Sequence, residues 1–275
     1  IFLTLALILG CAFAVQAAET EHKPADIPGL TFDHSMDLSY AKEFNVDYYN
    51  DGYALLTIDQ EGQFLVVPEG KKAPKGLEKD ITVIQQPLNN IYLVATSAMD
   101  LFRAIDGIDS IRLSGTLENG WYIQEAKDAM ESGKMIYAGK YNAPDYELIL
   151  NEGCGLAIES TMIHHNPEVE EKLEQFGIPV MVERSSYESH PLGRTEWMKL
   201  YAVLLGKEDV AEKIDASENV SENGDTAEKN TSENETVSGN DSAAENGEVS
   251  DNDKTAKNDV TSDNSDIATS ENNAD

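Results

Sequence analysis

From residue 81 to residue 205 the chain alternates short apolar runs with stretches whose apolar residues recur at helical spacing, and this alternation constrains the fold more than any other feature. The spacing predicts strands over 81–85, 91–94, 110–113, 135–138, 156–159 and 180–183. It predicts helices over 97–104, 122–131, 145–150, 168–176 and 194–205. Strands joined through helices by right-handed crossovers build a parallel sheet covered on both faces, a three-layer α/β arrangement. Local signals agree. Ser97 is expected to cap a helix, Pro144 and Pro167 to occupy first-turn positions, and Gly177 to follow a helix end.

The segments on either side have different grammars. Residues 39–49, 53–58 and 64–67 alternate with period two, broken by Asn50-Asp51-Gly52 and by 59–63, so a small antiparallel meander precedes the α/β part. Residues 68–79 form a basic loop punctuated by Gly and Pro. From Asp215 to Asp275 the chain carries 17 Asp or Glu against 3 Lys and no Leu, Phe, Tyr, Trp, Met, Cys or Pro. Such a tail cannot bury enough apolar area to offset its chain entropy and is expected to be disordered. The rest of the chain still has 34 acidic and 17 basic residues, which repels nucleic acid and excludes it as a partner.

The amino terminus, IFLTLALILGCAFAVQAAET, is an apolar run ending in small residues, as an export signal does. Two cleavage readings compete. Ile8-Leu9-Gly10-Cys11 has the form of a bacterial lipoprotein box, with Cys11 as the lipidated residue, and is preferred; Val15-Gln16-Ala17 has the form of an ordinary signal-peptidase site. The expected organisation is a signal peptide over 1–18, a polar spacer over 19–33, a binding lobe over 34–214 and the tail over 215–275. Cys154 is then left without a disulfide partner, and in Glu-Gly-Cys-Gly-Leu it reads as a small buried hydrophobe.

Catalytic and cofactor signatures do not emerge. The chain has no phosphate-binding Gly-Lys-Ser/Thr loop, no complete dinucleotide fingerprint, no Cys-x-x-Cys, and no His pair at metal-ligand spacing on a helix. A binding protein is therefore expected, without catalytic residues, metal or cofactor. In open parallel sheets ligands lie beyond the carboxyl ends of the strands. The residues there include Thr96, Ser97, Ser160, Thr161 and 184–187, and the candidate ligand contacts are Trp121, Tyr122, Tyr141, Thr161, Met162, Arg184 and Tyr187. Their flat apolar faces with polar tips suit a bulky planar or chelated ligand.

The ordered string IYLVATSAMDLFRAIDGIDSI, GWYIQEAKDAM, YAGKYNAPDYELIL, LAIESTMI and EEKLEQFGIPVMVERSSYESHPLGRTEWMKLYAVLLGKEDVAEK resembles the substrate-binding proteins of ABC importers. The similarity is to the iron-complex and cobalamin class, clostridial type, over about residues 29–214. This resemblance implies a class III periplasmic-binding-protein fold. It also implies two lobes joined by a long helix, with a ferric siderophore, haem or cobalamin held between them. The cargo passes to a membrane permease driven by a cytoplasmic ATPase. The permease docks on a glutamate of each lobe, here near Glu168 or Glu170. The sequence matches only the amino-terminal lobe and the first turns of the interlobe helix. The resemblance thus predicts an extracytoplasmic lipoprotein lacking its second lobe, and the competing reading is a surface interaction module made of one α/β lobe on an acidic spacer.

Overall fold

The computed structural model describes residues 22–214. The apolar leader with Cys11 and the acidic stretch from 215, on which the export, lipidation and disorder readings fall, lie outside the described residues.

Two five-stranded sheets enclose a helix. The first contains β1 (Phe32–Ser35), β2 (Phe44–Tyr49), β3 (Ala54–Ile58), β4 (Gly62–Val67) and β5 (Ile81–Gln85), side by side in that order. The first four strands are antiparallel, as the period-two runs and Asn50-Asp51-Gly52 predict. Asp51 and Gly52 take the left-handed backbone that this tight connection requires, with φ of 62° and 82°. The structure corrects one assignment. Residues 81–85 do not begin the parallel sheet but pair, in parallel, with β4 as the edge of the first sheet.

The second sheet is built from β6 (Ile91–Leu93), β7 (Ile111–Ser114), β8 (Ile136–Tyr137), β11 (Leu156–Ser160) and β12 (Val180–Glu183). A short ribbon of β9 (Gly139–Lys140) and β10 (Ala143–Pro144) intervenes. Every pairing in the second sheet is parallel, in the order β12-β11-β6-β7-β8. Helices α1 (Ala98–Ala104), α2 (Gln124–Glu131), α3 (Tyr146–Asn151), α4 (Pro167–Gln175) and α5 (Pro191–Leu205) fall where the periodicity places them, within a few residues. Pro167 occupies the first turn of α4, whereas Pro144 lies in β10 and the Asp145 side chain caps α3. Gly177 follows α4 with a φ of 77°.

Helix α5 is the centre of the molecule. It lies between the inner face of the first sheet and one face of the second, so it is apolar nearly all round rather than on one stripe. Trp197 meets Phe44 of β2 with ring centroids 5.0 Å apart, and Tyr201 meets Phe102 of α1 at 4.6 Å. Each fully buried large side chain here stabilises the fold by roughly 1.5–3 kcal/mol. The opposite face of the second sheet packs on α3 and α4 through Tyr92, Leu113, Ala157, Ile149, Val169 and Leu173. The outer face of the first sheet is closed by Ile27, Leu55, Leu65 and Val67. From His22 onward the stretch read as a polar spacer is laid onto this sheet: Ile27 is buried and the Tyr49 hydroxyl donates to the Ala25 carbonyl at 2.6 Å.

Two buried carboxylates fasten loop 39–43 to α5. Glu196 accepts the backbone N–H groups of Ser39, Tyr40 and Ala41 at 2.7–2.8 Å. Glu188 accepts those of Lys42 and Glu43 at 2.9 and 3.0 Å. This explains why the period-two run over 39–49 becomes a strand only from Phe44: the first five residues give their amides to side chains instead of to a neighbouring strand.

Candidate functional site

The parallel sheet starts in its own middle. The chain lays down β6, moves through α1 and α2 to β7 and β8 on one side, then crosses back through α3 to place β11 and β12 on the other. Connections therefore leave β6 and β11 in opposite directions, and the carboxyl ends of these two strands are the switch point at which open parallel sheets form their ligand crevice. Thr96 and Ser97 follow β6 and are exposed, while Thr161 and Met162 follow β11. Gly115, after β7, allows the neighbouring loop to close on β6, since a Cβ there would stand 2.9 Å from the Val94 Cα.

Polar contacts organise this edge. The Ser97 hydroxyl donates to Glu183 at the end of β12, and the other Glu183 oxygen accepts the Ser185 N–H at 2.7 Å. Ser97 is therefore not the helix cap that its position before α1 predicts: it has helical backbone angles and makes no capping bond. The Thr161 hydroxyl and the Tyr187 hydroxyl are hydrogen-bonded at 2.9 Å. The Arg184 guanidinium lies 4.5 Å over the Tyr187 ring.

The Arg184 charge is met by the first sheet. Its Nε donates to Glu43 at 2.8 Å and its Nη1 to Glu61 at 3.2 Å. His164, four residues past β11, approaches Glu61 to 3.2 Å. The β3–β4 hairpin is thereby tied to the loops after β11 and β12. These bonds engage two of the five guanidinium N–H donors of Arg184 and hold its side chain against the first sheet at one end of that edge.

The candidate residues divide into three groups. Thr161, Met162, Arg184 and Tyr187 gather at one end of the edge, with Met162 and Tyr187 45% and 51% exposed. Tyr122 and Tyr141 follow β7 and β8, and β8 lies three strand spacings, about 14 Å, from β11. Tyr122 stands 98% exposed, whereas Tyr141 is half-buried against the core beside α3. Trp121 is placed otherwise than a rim residue: it is 4% exposed, packs in the central core, and donates its indole N–H to the Ser114 hydroxyl at 3.2 Å. Glu168 is exposed in the first turn of α4. Glu170 is half-buried, and its carboxyl pKa is raised by burial and by the charge of Glu174.

Sequence reasoning missed Glu43, Glu61 and Glu183, whose roles depend on partners far along the chain. It also missed Glu159, on β11 across from Val182 of β12. Glu159 is fully buried, and neither carboxylate oxygen has a hydrogen-bond partner among the described residues. Burial, reinforced by the charge of Glu170, pushes its pKa up to about 8. A Glu inside the apolar run Leu156–Ser160 was the available signal.

Among the described residues no three His, Cys, Asp or Glu side chains are placed to hold a metal ion. Nor is any described helix long and apolar enough to cross a membrane.

No protein-family profile matches the chain. Over 203 residues it is 24% identical to an uncharacterized lipoprotein of Methanocaldococcus jannaschii, which covers 64% of this chain. The chain spans about half of that relative, 48% of its length.

Proposed function

We propose that this chain provides the amino-terminal lobe of an extracytoplasmic substrate-binding lipoprotein of an ABC importer, with an iron complex or cobalamin as cargo. The observation that carries the reading is the switch between β6 and β11, which brings Thr96, Ser97, Thr161, Met162 and Tyr187 to a single open edge. Exposed methyl, thioether and phenol surfaces beside hydroxyls fit a large chelate that is mostly apolar outside and carries a few polar atoms. A ferric siderophore, haem or cobalamin answers that description, and closure by a second lobe would complete its burial. The ordered sequence resemblance supports the reading. So does similarity to a relative described as a lipoprotein, which favours a lipid on Cys11 as the membrane anchor.

The role is binding and not catalysis, with no cofactor apart from the cargo. Burial pushes the Cys154 thiol up to about 11, which keeps it protonated and a poor nucleophile. Glu168 and Glu170 on α4 are the surface that would meet the permease, whose cytoplasmic ATPase drives uptake. Titration calorimetry of the full chain with ferric siderophores, haem and cobalamin tests the proposal. Saturable binding of one class is expected, and binding of none would overturn it.

A further inference from the structure

The outer end of the first sheet bears a concavity of about 410 Å³ lined by Pro28, Gly29, Leu30, Asp51, Lys71, Lys72 and Lys75, among others. Three lysines and one aspartate line it. Lys71 is paired with Asp51 at 3.0 Å, and neither Lys72 nor Lys75 has a carboxylate at ion-pair distance among the described residues. The loop that carries them is fixed. The Tyr53 hydroxyl donates to the Lys72 carbonyl at 2.8 Å, the Lys71 N–H to the Pro68 carbonyl at 3.0 Å, and Gly70 and Gly76 take positive φ at its corners. Glu69, Glu78 and Asp80 lie on the same loop but do not line the concavity. A net excess of cations is unusual in a chain of net charge −31. It marks the place where an anionic surface could approach with least repulsion.

The position of the concavity identifies that surface. Residues 28–30, which form one wall, belong to the segment by which the chain enters the fold from its apolar leader. Ten residues lie between Cys11 and His22, so the chain between them reaches at most about 40 Å when extended. We propose that Lys71, Lys72 and Lys75 seat anionic phospholipid headgroups of the membrane and so set the orientation of the anchored lobe. The inference rests on the lipoprotein part of the proposed function but not on the identity of the cargo. A lysine near an anionic bilayer strengthens binding about five-fold, and salt screens the effect.

The test is flotation of the full chain carrying Cys11→Ser, so that no acyl group contributes, with vesicles of phosphatidylcholine alone or mixed with phosphatidylglycerol. The leader contributes equally to both, so the readout is the increment due to phosphatidylglycerol. The expected increment is about ten-fold or more at low salt. It should vanish at high salt and in Lys71→Glu/Lys72→Glu/Lys75→Glu, and persist in the triple arginine variant and in Lys134→Glu/Lys213→Glu. Equal binding to the two vesicle types overturns the proposal, as does an increment that survives the triple charge reversal or is lost equally in the distant pair. Mass analysis of wild-type protein from cells reads Cys11 lipidation separately, and calorimetry with cargo reads the binding function, so the failures are distinguishable.

Discussion

Glu188 Oε1 accepts the indole N–H of Trp197 at 2.9 Å, joining the loop after β12 to the largest fully buried side chain of α5. The same carboxylate holds the backbone of Lys42 and Glu43, so one side chain fastens the entrance to β2, the central helix and the crevice edge together. Glu188→Ala leaves three donors without their acceptor. A hydrogen bond to a charged group contributes about 1.5–3 kcal/mol, so the variant is expected to lose about 3 kcal/mol or more in denaturant unfolding. A loss below about 1 kcal/mol would show that water replaces the carboxylate easily.

Two other glutamates give stability opposite dependences on pH. Burial works against ionisation of Glu196, but the three N–H donors of Ser39, Ala41 and Tyr40 and the charge of Lys199 outweigh it and lower its pKa. Its contribution is complete above the ordinary carboxyl pKa and disappears as pH falls through the lowered one. The expected result for Glu196→Gln is a shallower loss of melting temperature on acidification than wild type, together with lower stability at neutral pH.

Glu159 behaves in the reverse sense. Its folded pKa, about 8, lies above the ordinary 4.5, so its neutral form is tolerated at low pH and stability falls as pH rises from 4.5 toward 8. Glu159→Gln removes that titration. The variant should match wild type near pH 4 and exceed it by on the order of 2–3 kcal/mol at pH 7 in chemical denaturation. Equal pH profiles for the two proteins would mean that the native state hydrates or pairs this carboxylate.

Ser97→Ala tests the bond that replaces the expected helix cap. Glu183 keeps the Ser185 N–H but loses the hydroxyl, so stability should fall by about 1–3 kcal/mol while the helix content seen by circular dichroism stays constant.

How far the fold was legible depends on the range of the interactions. Period and punctuation sufficed for the parallel strands and for α1 to α5, because each of these is encoded within a dozen residues. They placed Ile81–Gln85 in the wrong sheet, since an edge strand lying parallel to β4 has the same local pattern as one in the parallel sheet. Ser97 illustrates the same limit: a Ser before a helix reads as a cap until Glu183, 86 residues away, competes for its hydroxyl. Arg184 is committed to Glu43 and Glu61, 141 and 123 positions distant, which no spacing rule anticipates. Trp121 and Tyr122 are adjacent in sequence and opposite in exposure, so aromatic type after a strand did not separate core from rim.

The central claim is that cargo meets the edge where β6 and β11 part. Amide hydrogen exchange of the full chain, followed by mass spectrometry with and without saturating ferric siderophore, haem or cobalamin, tests it most directly. The account predicts slowed exchange confined to 94–97, 160–164 and 184–187 with one of these compounds. Unchanged exchange there with all three, or protection only on loops at the opposite end of the parallel sheet, would contradict it.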